Sequence, residues 1–260
     1  MSDPANTNEP IIRFENVSKS FGEHQVLNGL SFDVTHGKTL AIMGPSGSGK
    51  SVALRNIVGL MRPDSGRVLV KGKEVATMSR NDIADMRKHM GYVFQEGALI
   101  NWLNIGENVA LPLRENSDLP DDEIRSRVQE KLEMVKVPDS WDKMPSEISG
   151  GMKKRIGIAR ALITNPEIIL YDEPNAGLDP EIARAINKII RELSVTLNVT
   201  SIVVEHRIEC IQVVADEVLF LHEGAALIQT STEKFFSSQI PRLKRFFGND
   251  SLPSTASSSS

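Results

Sequence analysis

The sequence is poor in three things, and each shortage removes a class of explanation. It holds one cysteine in 260 residues, Cys210, so an intramolecular disulfide is impossible. That residue sits in IECIQVV at helical spacing, where a packed thiol accounts for it. No apolar run approaches the ~18–20 residues that span a bilayer, and the polar start MSDPANTNEP lacks the basic and apolar parts of a signal sequence. A cytoplasmic location is expected, which still allows docking on a membrane protein. Nor is there an excess of basic residues. Thirty Lys and Arg against 34 Asp and Glu leave a net charge of −4, which disfavours a nucleic-acid partner.

What is present suits a large core. A 40% hydrophobic content over this length fits one elaborated α/β domain as well as two small ones. Residues 1–10 read as a flexible start, and SLPSTASSSS at the far end as a disordered Ser-rich tail.

The most informative stretch is TLAIMGPSGSGKS at 39–51. Its apolar run stops at Gly44, and Gly44, Pro45, Ser46, Gly47, Ser48, Gly49, Lys50 and Ser51 then lead into the helical pattern VALRNIVGLM. Strand, glycine loop and helix in that order curl successive backbone N–H groups around one anion, with the positive helix end behind them. Lys50 can reach the outer phosphates of a nucleotide, and the Ser51 hydroxyl is placed to ligate an accompanying Mg²⁺. An ordinary Gly-rich turn is the competing explanation.

Upstream, Ile11–Val17 reads as a strand, SKSFGEHQ as a turn, and Val26–Val34 as a second strand. Phe21 falls in that turn, either as an unremarkable exposed aromatic or as a face for a nucleotide base. Downstream come a turn at 63–66, a strand at 67–70, a short helix capped by Ser79, and the strand GYVFQ at 91–95 ending in Gln95. Residues 96–160 lose strand character. There Pro120 is expected in the first turn of a helix carrying Ile124, Val128, Leu132 and Val135 on one face.

PSEISGGMKKRIGIARAL at 145–162 places Ser149, Gly150 and Gly151 at a helix N-terminus, a second anion site or simply an N-cap with a permissive turn. The apolar strand in PEIILYDEP delivers Asp172 and Glu173 to its C-terminal end, where one acid can hold a metal and the other orient or deprotonate water. NAGLDP leads into an amphipathic helix with Ile182, Ile186, Ile189, Ile190, Leu193 and Leu197. VTSIVVEH is a further strand with His206 past its end, EVLFLHEG and AALIQT form a closing hairpin, and IPRLKRFFG suggests a small final helix.

Taken in order, GPSGSGKS, Gln95, ISGGM, IILYDEP, AGLDP and His206 resemble the ATP-binding subunit of ABC transporters over roughly residues 11–230. The resemblance implies an α/β P-loop NTPase with a mainly parallel core sheet, an N-terminal antiparallel β subdomain and an inserted helical subdomain at about 96–160. It places the ATPase domain at 11–240, with a C-terminal helix and tail at 241–260. It also implies a homodimer in which ATP on the phosphate loop of one copy is closed over by Ser149, Gly150 and Gly151 of the other. By the same likeness Phe21 stacks on adenine, Gln95 senses Mg²⁺ and water, Glu173 is the catalytic base, Asp179 belongs to the dimer-crossing loop, and His206 contacts the γ-phosphate. Mg²⁺ would fall to Ser51, Gln95 and Asp172.

Two departures stand out. The signature reads ISGGM instead of LSGGQ, so no amide is offered at Met152. Arg207 follows the histidine where Asp is usual, with Glu205 before it. FQEGALINWLNIGENVALPLRE, MPSEISGGMKKRIGIARAL and DEPNAGLDP are most similar to the Mla or MCE lipid-transport branch. That likeness implies a permease, an MCE-domain lipid-binding subunit reached through it, a possible small accessory subunit, and a peripheral place on the inner face of the cell membrane. An amino-acid-type importer, a soluble ABC ATPase of translation or DNA repair, and a nucleotide-binding regulatory module are the alternatives.

Overall fold

A computed structural model describes residues 10–247. The expectations for residues 1–9 and for the Ser-rich tail lie outside the described residues.

The chain opens with an antiparallel hairpin, β1 (Pro10–Phe21) and β2 (His24–Thr35), followed by the buried strand β3 (Thr39–Met43) and helix α1 (Lys50–Ile57). The turn expected over SKSFGEHQ shrinks to Gly22 and Glu23, with Gly22 at φ 60°. Ser18–Phe21 stay in β1 because the Ser20 N–H donates to Asp64 at 2.7 Å and Lys19 pairs with the same carboxylate at 2.6 Å. Pro10, expected in the flexible start, already pairs with Thr35. Strands β4 (Ser65–Val70) and β5 (Lys73–Glu74) complete a four-stranded sheet in the order β2-β1-β4-β5.

Helix α2 (Arg80–Lys88) begins at a capping box, in which Ser79 and Asp82 satisfy each other's backbone N–H groups. Strand β6 (Met90–Val93) stops two residues before Gln95, short of the expected end. Among the described residues no strand then occurs until 168. In its place come α3 (Ile105–Asn116), α4 (Asp121–Met134) and α5 (Gly150–Leu162). Pro120 is the N-cap of α4, with extended backbone at ψ 153°, and not part of its first turn. Ile124, Val128, Leu132 and Val135 are all buried, as their spacing requires.

Next are β7 (Ile168–Asp172), α6 (Pro180–Thr196), β8 (Thr200–Val204), α7 (Ile208–Val214), β9 (Glu217–His222) and β10 (Ala225–Ser231). Two short helices follow, α8 (Thr232–Phe236) and α9 (Pro241–Phe247). The second sheet runs β10-β9-β3-β8-β7-β6, parallel throughout except for the β9–β10 hairpin. Leu197, expected on the apolar face of α6, follows its last residue and is 41% exposed.

Both faces of the parallel sheet are covered, which explains its continuous apolar runs. Ile168 and Leu170 of β7 face a core shared with α1 and the antiparallel sheet. Ile169 and Tyr171 face a core shared with α3 to α6. In β3, Leu40 and Ile42 enter the first of these, while Ala41 and Met43 enter a third built with Phe220, Phe235 and Leu243. The loops leaving the C-terminal ends of β3, β6, β7 and β8 gather at one sheet edge, the usual ligand position in such sheets.

Candidate nucleotide site

The loop between β3 and α1 owes its shape to three glycines at positive φ, Gly44 (148°), Gly47 (80°) and Gly49 (100°). Gly49 precedes α1 without a side-chain cap, and the first turn of that helix holds no acid. The helix therefore presents uncompensated N–H groups to an anion. Ser48 is buried beneath the loop, and its Oγ has no hydrogen-bond partner.

Lys50 curls back over the loop, its Nζ donating to the carbonyls of Gly44 and Pro45 at 2.9 Å each. Burial pulls its pKa down, opposed by the charges of Glu173 and Asp172. An incoming phosphate supplies better acceptors for the same ammonium, because charge-assisted bonds are the stronger ones.

Ser51 and Asp172 approach from neighbouring elements, Oγ to Oδ1 at 3.4 Å. The other oxygen of Asp172 accepts from the Tyr92 hydroxyl at 3.1 Å. Burial, the Asp172 charge and that bond together push the tyrosine pKa up, so it remains a donor. Among the described residues no cluster of three or more His, Cys, Asp or Glu could hold a metal. One carboxylate and one hydroxyl instead fit a hard cation that arrives with phosphate oxygens.

Glu173 takes the left-handed conformation, φ 47°, with its N–H donating to the Val204 carbonyl at 3.0 Å. His206 follows β8 with its side chain half exposed, Nδ1 lying 3.4 Å from the buried Glu205 carboxylate. Glu205 also accepts from the His206 N–H at 2.8 Å and from Asn175 at 3.1 Å. Arg207 turns away and donates to the Leu178 carbonyl at 3.0 Å, bracing the loop before α6. Asp179 in that loop caps α6, accepting from the N–H groups of Glu181 and Ile182 at 3.0 Å each.

Gly44, Pro45, Ser46, Gly47, Gly49, Lys50, Ser51, Glu173 and His206 line one open cleft of about 630 Å³. Other expected residues stand apart from it. Phe21 is 48% exposed, beside Lys19 and off the cleft lining. Gln95 is exposed beyond β6, with only its carbonyl engaged, by Lys154. Ser149 caps α5, accepting from the Met152 N–H at 3.3 Å. With Gly151 it lines a separate cleft beside Lys136, Lys143 and Arg155.

The cleft also contains four residues not among the candidate site residues: His24, Val26, Val52 and Phe246. Phe246 comes from α9 and meets Phe220 edge-on, ring centroids 5.0 Å apart. Its only sequence signal was the aromatic pair in RFFG.

A family model described as "ABC transporter" matches residues 27–176. The chain belongs to the ABC transporter family. Within it, the chain is similar to the intermembrane phospholipid transport system ATP-binding protein MlaF of Haemophilus influenzae, 36% identical over 94% of this chain and 92% of that one. It is also 35% identical to the probable ribonucleotide transport ATP-binding protein mkl of Mycobacterium leprae, over 90% of this chain and 68% of the relative. Among solved structures it resembles a dimeric ATP-binding cassette bound to ADP and Pi after hydrolysis. There the TM-score is 0.78 at 31% identity, covering 85% of this chain and 98% of that one.

The protein is thus an ABC ATPase subunit of a transporter, with ATP as its substrate and hydrolysis as its activity. No helix among the described residues is long and apolar enough to cross a membrane.

Proposed function

We propose that this ABC ATPase powers the movement of phospholipid, or another hydrophobic lipid, by a membrane permease at the inner face of the cell membrane. The observation that carries the catalytic part is the single cleft in which the glycine loop, Lys50, Glu173 and His206 meet. Support for the lipid comes from the likeness to MlaF and from the motifs it shares with the lipid-transport branch. The mkl name favours a second reading, import of a polar solute. Co-purification of an MCE-type permease, against a solute-binding-protein system, separates the two.

The loop amides and Lys50 bind the phosphates of ATP. Ser51, Asp172 and Gln95 would hold Mg²⁺, which when bound would supply charge neutralisation at the phosphate oxygens. Glu173 takes a proton from the attacking water, and His206 contacts the γ-phosphate. Ser149 and Gly151 line a cleft separate from the phosphate loop's, and with Gly150 they serve the ATP of a second copy in a homodimer whose crossing loop carries Asp179. Phe21 pairs with His24 at the cleft margin and stacks on the adenine, and Phe246 flanks the same cleft. The helices of about 96–160 form the inserted subdomain that receives the permease, with an MCE-domain subunit, and an accessory subunit where one exists, joining through it.

Replacing Glu173 with Gln tests the reading. The full chain with its permease should retain ATP binding and lose turnover by about 10²–10⁴-fold, the usual contribution of a positioned base. A fully active Glu173→Gln variant overturns it.

A further inference from the structure

Helix α5 carries four cations, Lys153, Lys154, Arg155 and Arg160, and Lys154 is the buried one among them. The residue has a relative exposure of 5%. Its ammonium donates to the carbonyl of Gln95 and lies within 3.5 Å of the carbonyl of Glu173. The charges that act on it come from Glu205, Glu96 and Glu173, in that order, against the pull of burial.

A buried ammonium is tolerated only where several acceptors satisfy its three N–H groups. Here the acceptors belong to the loop after β6 and to the first residue after β7. Behind them is a second buried set, with Asn175 donating to Asn187 at 2.7 Å and to Glu205 at 3.1 Å. Glu205 in turn carries the backbone of His206. One lysine on the helix that begins at Ser149, Gly150 and Gly151 thus reaches the backbones of two site loops, and faces the carboxylate that supports a third.

Resting on the ATPase reading above, we infer that Lys154 is a positioning residue. It clamps the start of α5 to the Gln95 and Glu173 loops, so that the carboxylate of Glu173 is correctly placed only when α5 is docked. The lysine touches no reacting atom. It acts through two main-chain carbonyls.

The test is ATP turnover of the full chain at varied ATP, together with the Kd for a fluorescent ATP analogue. Lys154→Met should lower kcat at least tenfold and leave KM and Kd within threefold. Lys154→Gln, whose amide can serve one carbonyl, should fall between parent and Lys154→Met. Should Lys154→Met fail to fold with Glu205 left uncompensated, Lys154→Met/Glu205→Gln removes both charges. That variant should still be at least tenfold slower than Glu205→Gln alone. Turnover of Lys154→Met within twofold of the parent, a double variant as fast as Glu205→Gln, or a Kd rising in step with the loss of kcat each overturns the clamp. Full activity of Lys154→Met beside an inactive Glu173→Gln removes this inference and leaves the ATPase reading standing. Activity of Glu173→Gln removes that reading itself.

Discussion

Replacing Gly44 with Ala should damage the protein more than the same change at Gly47, although both glycines shape one loop. At Gly44 an added Cβ would meet the Leu221 carbonyl oxygen at 2.3 Å and Ser48 Oγ at 2.8 Å. The carbonyl cannot swing aside, because Leu221 pairs with Ala226 of β10 and its neighbour Phe220 pairs with Met43 of β3. Overpacking of that kind costs about 1–3 kcal/mol, and a positive φ of 148° on a residue with a side chain costs about 1–3 kcal/mol more. The sum, about 4 kcal/mol, is a large share of the ~5–15 kcal/mol that holds a domain folded. At roughly 2–4 °C per kcal/mol for a chain of this size, Tm should fall by about 10 °C. Around Gly47 nothing lies within 4 Å, so only the strain of φ 80° remains, about 1–2 kcal/mol. Thermal melts followed by circular dichroism, with ATP affinity measured well below Tm, give the comparison. A Gly44→Ala protein melting within about 2 °C of the parent, or a larger loss for Gly47→Ala, would refute the steric reasoning.

Two further outcomes follow from the site and the core. Tyr92→Phe removes the 3.1 Å bond to Asp172, so the Mg²⁺ concentration for half-maximal turnover should rise roughly 10-fold, the usual effect of losing an outer partner of a metal-binding carboxylate; a metal titration with unchanged midpoint counts against it. Cys210 is 1% exposed and its pKa is pushed up by burial. A thiol reagent should label it only as denaturant unfolds the protein, and rapid labelling of the native form would contradict the packing described.

Much of the architecture was legible because local and global signals agree. Continuous apolar runs in β3, β7 and β8 mark strands covered on both faces, and the spacing of glycines after β3 marks the loop. Elsewhere the side-chain pattern was silent. Ser18, Lys19 and Ser20 carry no strand signal, and β1 persists there through pairing with β2 and through Asp64, forty-odd residues away. Lys154 lies in the run Lys153, Lys154, Arg155, which looks like a solvated face. Its burial exists only once the loops after β6 and β7 close over it. Phe246 reaches the cleft because the chain returns to it some two hundred residues after the glycine loop, a contact that no periodicity encodes. The separation of Ser149 and Gly151 from the phosphate loop is likewise a tertiary fact, although their position at a helix start was plain.

The alternating inward faces of β3 have a mechanical consequence. Leu40 and Ile42 are gripped by one layer, Ala41 and Met43 by another, and the strand that carries the loop has no slack side. Warming that loosens either layer disturbs the seat of ATP at once, so the enzyme has little room for a stage in which it is still folded but no longer grasps its fuel.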